Sequence, residues 1–140
     1  MGPEVNFLAV LLAAVASMVI GFLWYSPMVL GTPWMKLKGY TNDGLKKEQA
    51  QMGKLYGLSF VLAILTAFVL SHVTGLSEAF YGYSKLQTAM TSAFWMWLGF
   101  IMPVQLTATI FGDKKWKLFG IDTGYQFAAV MGMGVVIGLM

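Results

Sequence analysis

Cysteine is absent from this chain of 140 residues, and so is arginine. Without cysteine there is no disulfide, no thiolate nucleophile and no thiolate-held metal. Without arginine there is no side chain that reads a phosphate or a base edge with two parallel donors, which argues against nucleic acid as a partner. The single histidine, His72, excludes any site needing two histidines from one chain. Charge is scarce as well: Asp, Glu, Lys and Arg make up 11% of the residues. A typical soluble domain carries about 25%. No phosphate-binding loop, nucleophile triad, carboxylate pair or metal-ligand spacing is present, so the sequence points away from an enzyme, a cofactor or a metal.

What is present is apolar. Hydrophobic residues make up 58% of the chain, and long runs carry no formal charge. Val5 to Ser26 and Leu86 to Phe111 contain none, Leu55 to Val73 only the titratable His72, and Leu118 to Met140 only Asp122. A spanning helix needs about 20 mostly apolar residues, and the alternation expected of an outer-membrane strand is missing. These runs predict an all-α integral membrane protein. It is a bundle of four transmembrane helices, about 5–27, 53–74, 85–111 and 117–140, forming one domain over 1–140. The start, MGPEVNF, has an acidic residue and no lysine, unlike the basic head of a signal peptide. The first helix is therefore expected to stay.

The stretch WYSPMVLGTPWMK, Trp24 to Lys36, reads as a membrane exit. Trp24 and Tyr25 suit the headgroup layer, as do Trp34 and Trp116 elsewhere. Pro27 removes a donor and restricts Ser26, disfavouring further helix. Lys36 and Lys38 then reach lipid phosphates from a short amphipathic segment, about 33–52, lying on the cytoplasmic surface. The next loop is expected over Gly75 to Tyr83, and a tight hairpin over Gly112 to Lys117. Eight of the nine lysines fall in the first and third loops, leaving only Lys85 opposite. The positive-inside rule places both lysine loops in the cytoplasm and both termini outside.

Small residues recur at helical spacing. Ala9, Ala13, Ser17 and Gly21 stripe the first helix, and Gly120, Gly124, Gly134 and Gly138 the fourth. Such stripes let helices approach closely, within a chain or between chains. On the third helix, Thr88, Thr91, Ser92, Trp95, Gly99, Gln105 and Thr109 share one arc at 100° per residue, expected to face protein. Ala93, Phe94, Trp97, Phe100, Ile101, Val104, Ala108 and Phe111 share the opposite arc, expected to face lipid.

Asp122 is the candidate for chemistry, because a carboxylate in a spanning helix is costly. Its place in the first turns of that helix, where the macrodipole favours an anion, also suits a structural role bonded to Tyr25, Gln105 or a loop lysine. Asp122, Tyr125, Gln126, Gln105, Thr109 and Tyr25 sit at similar depth and form a candidate polar cluster, either a pocket or a network pinning three helices. His72 is a candidate lone ligand or proton site, or an interfacial ring bonded to a neighbour.

The motif LWYSPMVLGTPWM, with IDTGY opening the last helix, resembles a bacterial membrane-protein family catalogued as domain of unknown function 1761. Leu30 departs from the aromatic residue that the pattern favours. The resemblance implies the fold and an address in the bacterial cytoplasmic membrane. It carries over no functional residue. The expectation is a small non-enzymatic protein working among lipids by association, as a homo-oligomer or as an accessory subunit beside other membrane subunits. The alternative is an oligomer that moves ions, protons or small solutes past Asp122.

Overall fold

A computed structural model describes residues 5–26, 33, 34, 36, 52–112 and 114–140. Among these residues all regular structure is helical. The first helix, α1, is Phe7–Trp24; α2 is Met52–Tyr81; the third is built from α3, Lys85–Met96, a π-turn at Trp97–Ile101, and α4, Met102–Phe111; α5 is Trp116–Leu139. Three are long and apolar enough to cross a membrane: Phe7–Trp24, Gly53–Tyr81 and Lys85–Phe111. In α5, the polar run Asp122 to Gln126 lowers the hydropathy.

Local chemistry sets the ends. Asn6 opens α1, its side chain accepting the Ala9 N–H at 3.2 Å. The α1 chain end at Tyr25 donates its N–H to the Gly21 carbonyl. Most of the expected interfacial segment over 33–52, with Lys38 and Pro27, lies outside the described residues. The helix α2 runs 30 residues, about 45 Å at 1.5 Å per residue. It therefore outreaches the roughly 30 Å hydrocarbon core. It does not stop at 74: most of the loop expected from Gly75 is helical up to Tyr81. One glycine costs a helix about 1 kcal/mol, too little to end it against seven further helical bonds. The stop comes at Gly82, whose φ of 70° breaks the helix. Ser84 then caps α3, accepting the Gln87 N–H at 3.2 Å.

The helices pack in the order α1, α5, α3, α2 around a shared core, with α5 against α1 and α3, and α2 closing the far side. The core is Val10, Ala13, Ala67, Leu70, Ala89, Ala93, Val130, Met133 and Ile137. Its alanines let the backbones come close. The backbones approach closely between α5 and α3: a Cβ on Gly138 would stand 2.6 Å from Leu86 Cα.

The third helix packs with a different face from the one its polarity suggests. Thr88 and Ser92 are buried, but so is Ala93, which was expected in lipid, while Thr91, Trp95 and Gly99 face outward. Two causes are visible. The Thr91 hydroxyl is satisfied by its own helix, donating to the Gln87 carbonyl at 2.7 Å, so it needs no inward partner. The π-turn also adds a residue, the Met102 N–H reaching back to the Trp97 carbonyl. Everything beyond is thus turned by about 100° from a uniform helix. Pro103 explains the site of the bulge, because its ring clashes with the carbonyl four residues back, that of Gly99. Trp97, expected in lipid, is half-buried and points at α5. Ile101 is likewise half-buried, against the core. Phe94, Phe100, Val104, Ala108 and Phe111 are exposed.

Candidate functional site

The second and third turns of α5 are held from both sides. On one side the end of α1 supplies two aromatic donors. The Trp24 indole donates to the Ile121 carbonyl at 2.9 Å, and the Tyr25 hydroxyl to Asp122 Oδ1 at 2.6 Å. The consecutive residues reach consecutive residues 97 positions away. A hydroxyl on a carboxylate is among the shorter and stronger neutral-donor bonds. On the other side the Trp97 indole donates to the Thr123 carbonyl at 3.0 Å. The Thr123 hydroxyl donates to Gln105 Oε1 at 2.8 Å. The π-turn makes this second grip possible, since it turns Gln105 onto the face of the third helix from which Trp97 meets α5.

The structure thus brings Tyr25, Asp122 and Gln105 to one end of the helices, with Thr123 between the last two. Tyr125 joins them on the α1 side, away from Gln105. Its ring meets Tyr25 edge-on at 5.3 Å, and its hydroxyl donates to the Ser17 carbonyl at 3.3 Å. Gln126 is half-buried on α5. The Thr109 hydroxyl bonds its own helix at the Gln105 carbonyl, 2.9 Å away.

Below this network α4 and α5 part around an open cavity of about 240 Å³. Gln105, Ala108 and Thr109 form its α4 wall, and Leu118, Phe119, Asp122 and Thr123 its α5 wall. Lys114 and Lys115 stand at the hairpin end. The hairpin is tight: Lys114 sits at φ 57°, and its N–H reaches the Thr109 carbonyl at 3.1 Å. Lys115 is the residue before α5 begins, and Asp122 lies in the second turn of that helix, both lining the cavity.

The other candidates lie elsewhere. His72 is exposed on α2, its ring stacked 6.4 Å from Phe68. Its neighbour Thr74 is buried and donates to the Leu70 carbonyl at 2.7 Å. Ala9, Ala13 and Ser17 are buried on α1, and Gly21 lies against the Tyr125 ring. Gly124 meets the Trp24 ring, Gly134 the Ala89 carbonyl and Gly138 Leu86, while Gly120 has open space. Trp116 and Lys36 are exposed, and Trp34 packs edge-on to Tyr25 at 5.3 Å. Among the described residues no three carboxylate or histidine groups converge as metal ligands do.

Sequence reasoning missed Trp97 and Thr123, and it offered Asp122 a loop lysine without singling out Lys114 or Lys115. Pro103 was the available signal for the turned register of Gln105, since it announces a disturbed helix about four residues earlier. Thr123 had one too, lying between Asp122 and Tyr125 in IDTGY.

No curated protein and no solved structure matches this chain. The aromatic pair that ends α1, the α5 turn it grips and the cavity beside them all lie within residues 8–138, where the chain matches the model of a family described as protein of unknown function (DUF1761), and the chain belongs to that family.

Proposed function

We propose that this protein is a small non-enzymatic integral membrane protein that acts by association, as a homo-oligomer or as an accessory subunit of a larger membrane complex. In this reading α5 is a fourth span, and the protein is a multi-pass component of the bacterial cytoplasmic membrane, the address its family resemblance implies. The observation that carries association is the state of the third helix beyond the π-turn. Neither the π-turn nor α4 contributes a buried residue, and Phe100, Val104 and Phe111 are 76%, 66% and 85% exposed. This half-helix is tied to α5 through Trp97 and Gln105, and its other side, with the outward Gly99, is uncovered. A neighbouring helix fits such a surface, since an open glycine allows close approach. Most glycines of α5 do not serve this purpose, because Gly124, Gly132, Gly134 and Gly138 are covered within the chain, which leaves Gly120 open. The test is native mass spectrometry of protein gently extracted from its own membrane. A mass above one chain is expected, from copies or from other subunits. A bare single chain under mild extraction sinks the reading.

The cavity at Asp122 favours a second reading, transport of an ion, proton or small solute through an oligomer. Above the cavity the core is apolar, with Ala67, Leu70, Ala89, Ala93, Val130 and Met133 filling it, so a path would run between chains. Asp122→Asn separates the two readings: flux into liposomes falls if transport holds, and stays level if only association does.

A further inference from the structure

The cavity between α4 and α5 has chemistry of its own, whether or not anything passes it. It holds both signs of charge at a set separation. Lys114 and Lys115 lie at its hairpin end, and Asp122 lies further along α5 on the cavity wall. Tyr25 occupies one carboxylate oxygen, Oδ1, leaving the other to accept. Gln105 spends its carbonyl on Thr123, leaving its amide nitrogen to donate. Leu118 and Phe119 supply an apolar side. The cavity opens where two long helices turn, beside Trp116, exposed at 55%. That is the headgroup layer, where amphipathic rings collect.

We propose that this cavity binds a zwitterionic phospholipid headgroup bearing a phosphate and a primary ammonium, with the phosphate at Lys114 and Lys115 and the ammonium at Asp122. A purely anionic headgroup would place its charge against the lysines and leave the carboxylate facing nothing favourable. A cation would meet the reverse. Among the described residues, a ligand with both charges, negative toward the hairpin and positive toward the interior, matches the order of Lys114, Lys115 and Asp122. A lipid is the source favoured by the position of the opening at the turn of two membrane-length helices, and by the apolar side that an acyl-glycerol unit can cover.

The experiment is native mass spectrometry of the full chain in detergent, titrated with phosphatidylethanolamine, its N-acetylated form and phosphatidylglycerol of the same acyl chains. The first should be retained roughly tenfold better than the N-acetylated form, the equivalent of losing one charge-assisted hydrogen bond. Asp122→Asn should erase that preference, and Lys114→Gly should weaken all three lipids. The wild-type comparison needs no variant, so misfolding cannot imitate it. Equal retention of the amine-bearing and N-acetylated lipids overturns the proposal. So does tighter binding of phosphatidylglycerol, which would mark a lysine site for phosphate alone. Free phosphoethanolamine binding as well as the lipid would keep the zwitterion and overturn the lipid source. A single chain that still retains the lipid would remove the association reading and leave this one standing.

Discussion

Single residues here are constrained by distance rather than by polarity. At Gly138 a new Cβ would fall 2.6 Å from the Leu86 backbone, whereas at Gly120 it would meet nothing. Gly138→Ala should therefore cost about 2 kcal/mol through overpacking. Gly120→Ala should gain up to about 1 kcal/mol from helix propensity. Thermal unfolding of both variants in one detergent checks the contrast, and equal shifts would refute it. Lys114 is constrained by its backbone, since φ 57° disfavours any side chain. Lys114→Gly should leave the fold as stable or about 1 kcal/mol more so, which makes it a clean probe of the cavity. Tyr25→Phe removes the bond to Asp122 Oδ1 and should cost about 1–2 kcal/mol, the worth of a half-exposed bond to a carboxylate. A melting temperature unchanged from wild type would show that water replaces the hydroxyl there.

At the scale of elements, the helices were legible and their faces only partly so. Charge-free runs such as Val5 to Ser26 have one outcome, because a helix satisfies its own backbone in lipid. The end of α2 was not legible, since Gly75 looks like punctuation and only the conformation of Gly82 decides. The third helix was misread for two physical reasons. Polarity was used to choose the inner face, but size chose it: Ala89 and Ala93 go in, and Thr91 stays out with its hydroxyl on its own helix. Uniform periodicity also fails across the π-turn at Trp97–Ile101. Of the candidate cluster, the Tyr25 and Asp122 pairing was legible from depth, and the Gln105 to Thr123 bond was hidden by that same turn. The π-turn can be tested directly. Deleting Gly99 should restore a plain α-helix and rotate α4 by about 100°, taking Gln105 away from Thr123. The cysteine-free sequence helps, because Gln105→Cys with Thr123→Cys should then be bridged by a short bismaleimide in the parent and not in the deletion. Equal bridging would mean that the turn does not set the register.

For the whole molecule, orientation is the property on which the readings of the cavity and of the lysines converge. Lys114, Lys115 and Lys117 stand at the α4–α5 hairpin, at the same end as Lys36 and Lys54, while Ser84 and Lys85 mark the opposite turn between α2 and α3. Lysine near a spanning helix biases its loop toward the cytoplasm. The two lysine-bearing loops agree, and a single lysine opposes them. On the proposed membrane reading, that bias predicts that the cavity, walled by two of those lysines, opens on the inner leaflet. One pair of variants decides this. In the cysteine-free chain, Ser84→Cys and Lys117→Cys each provide a single thiol at opposite ends. A membrane-impermeant maleimide applied to intact cells should label the first strongly and the second only after the cells are opened. The reverse pattern would put the lysine loops outside and move the headgroup site to the outer leaflet. Lys117→Cys is chosen over its neighbours because it lies outside the cavity wall and in the first turn of α5, so its loss touches neither the Asp122 network nor the strained backbone at Lys114.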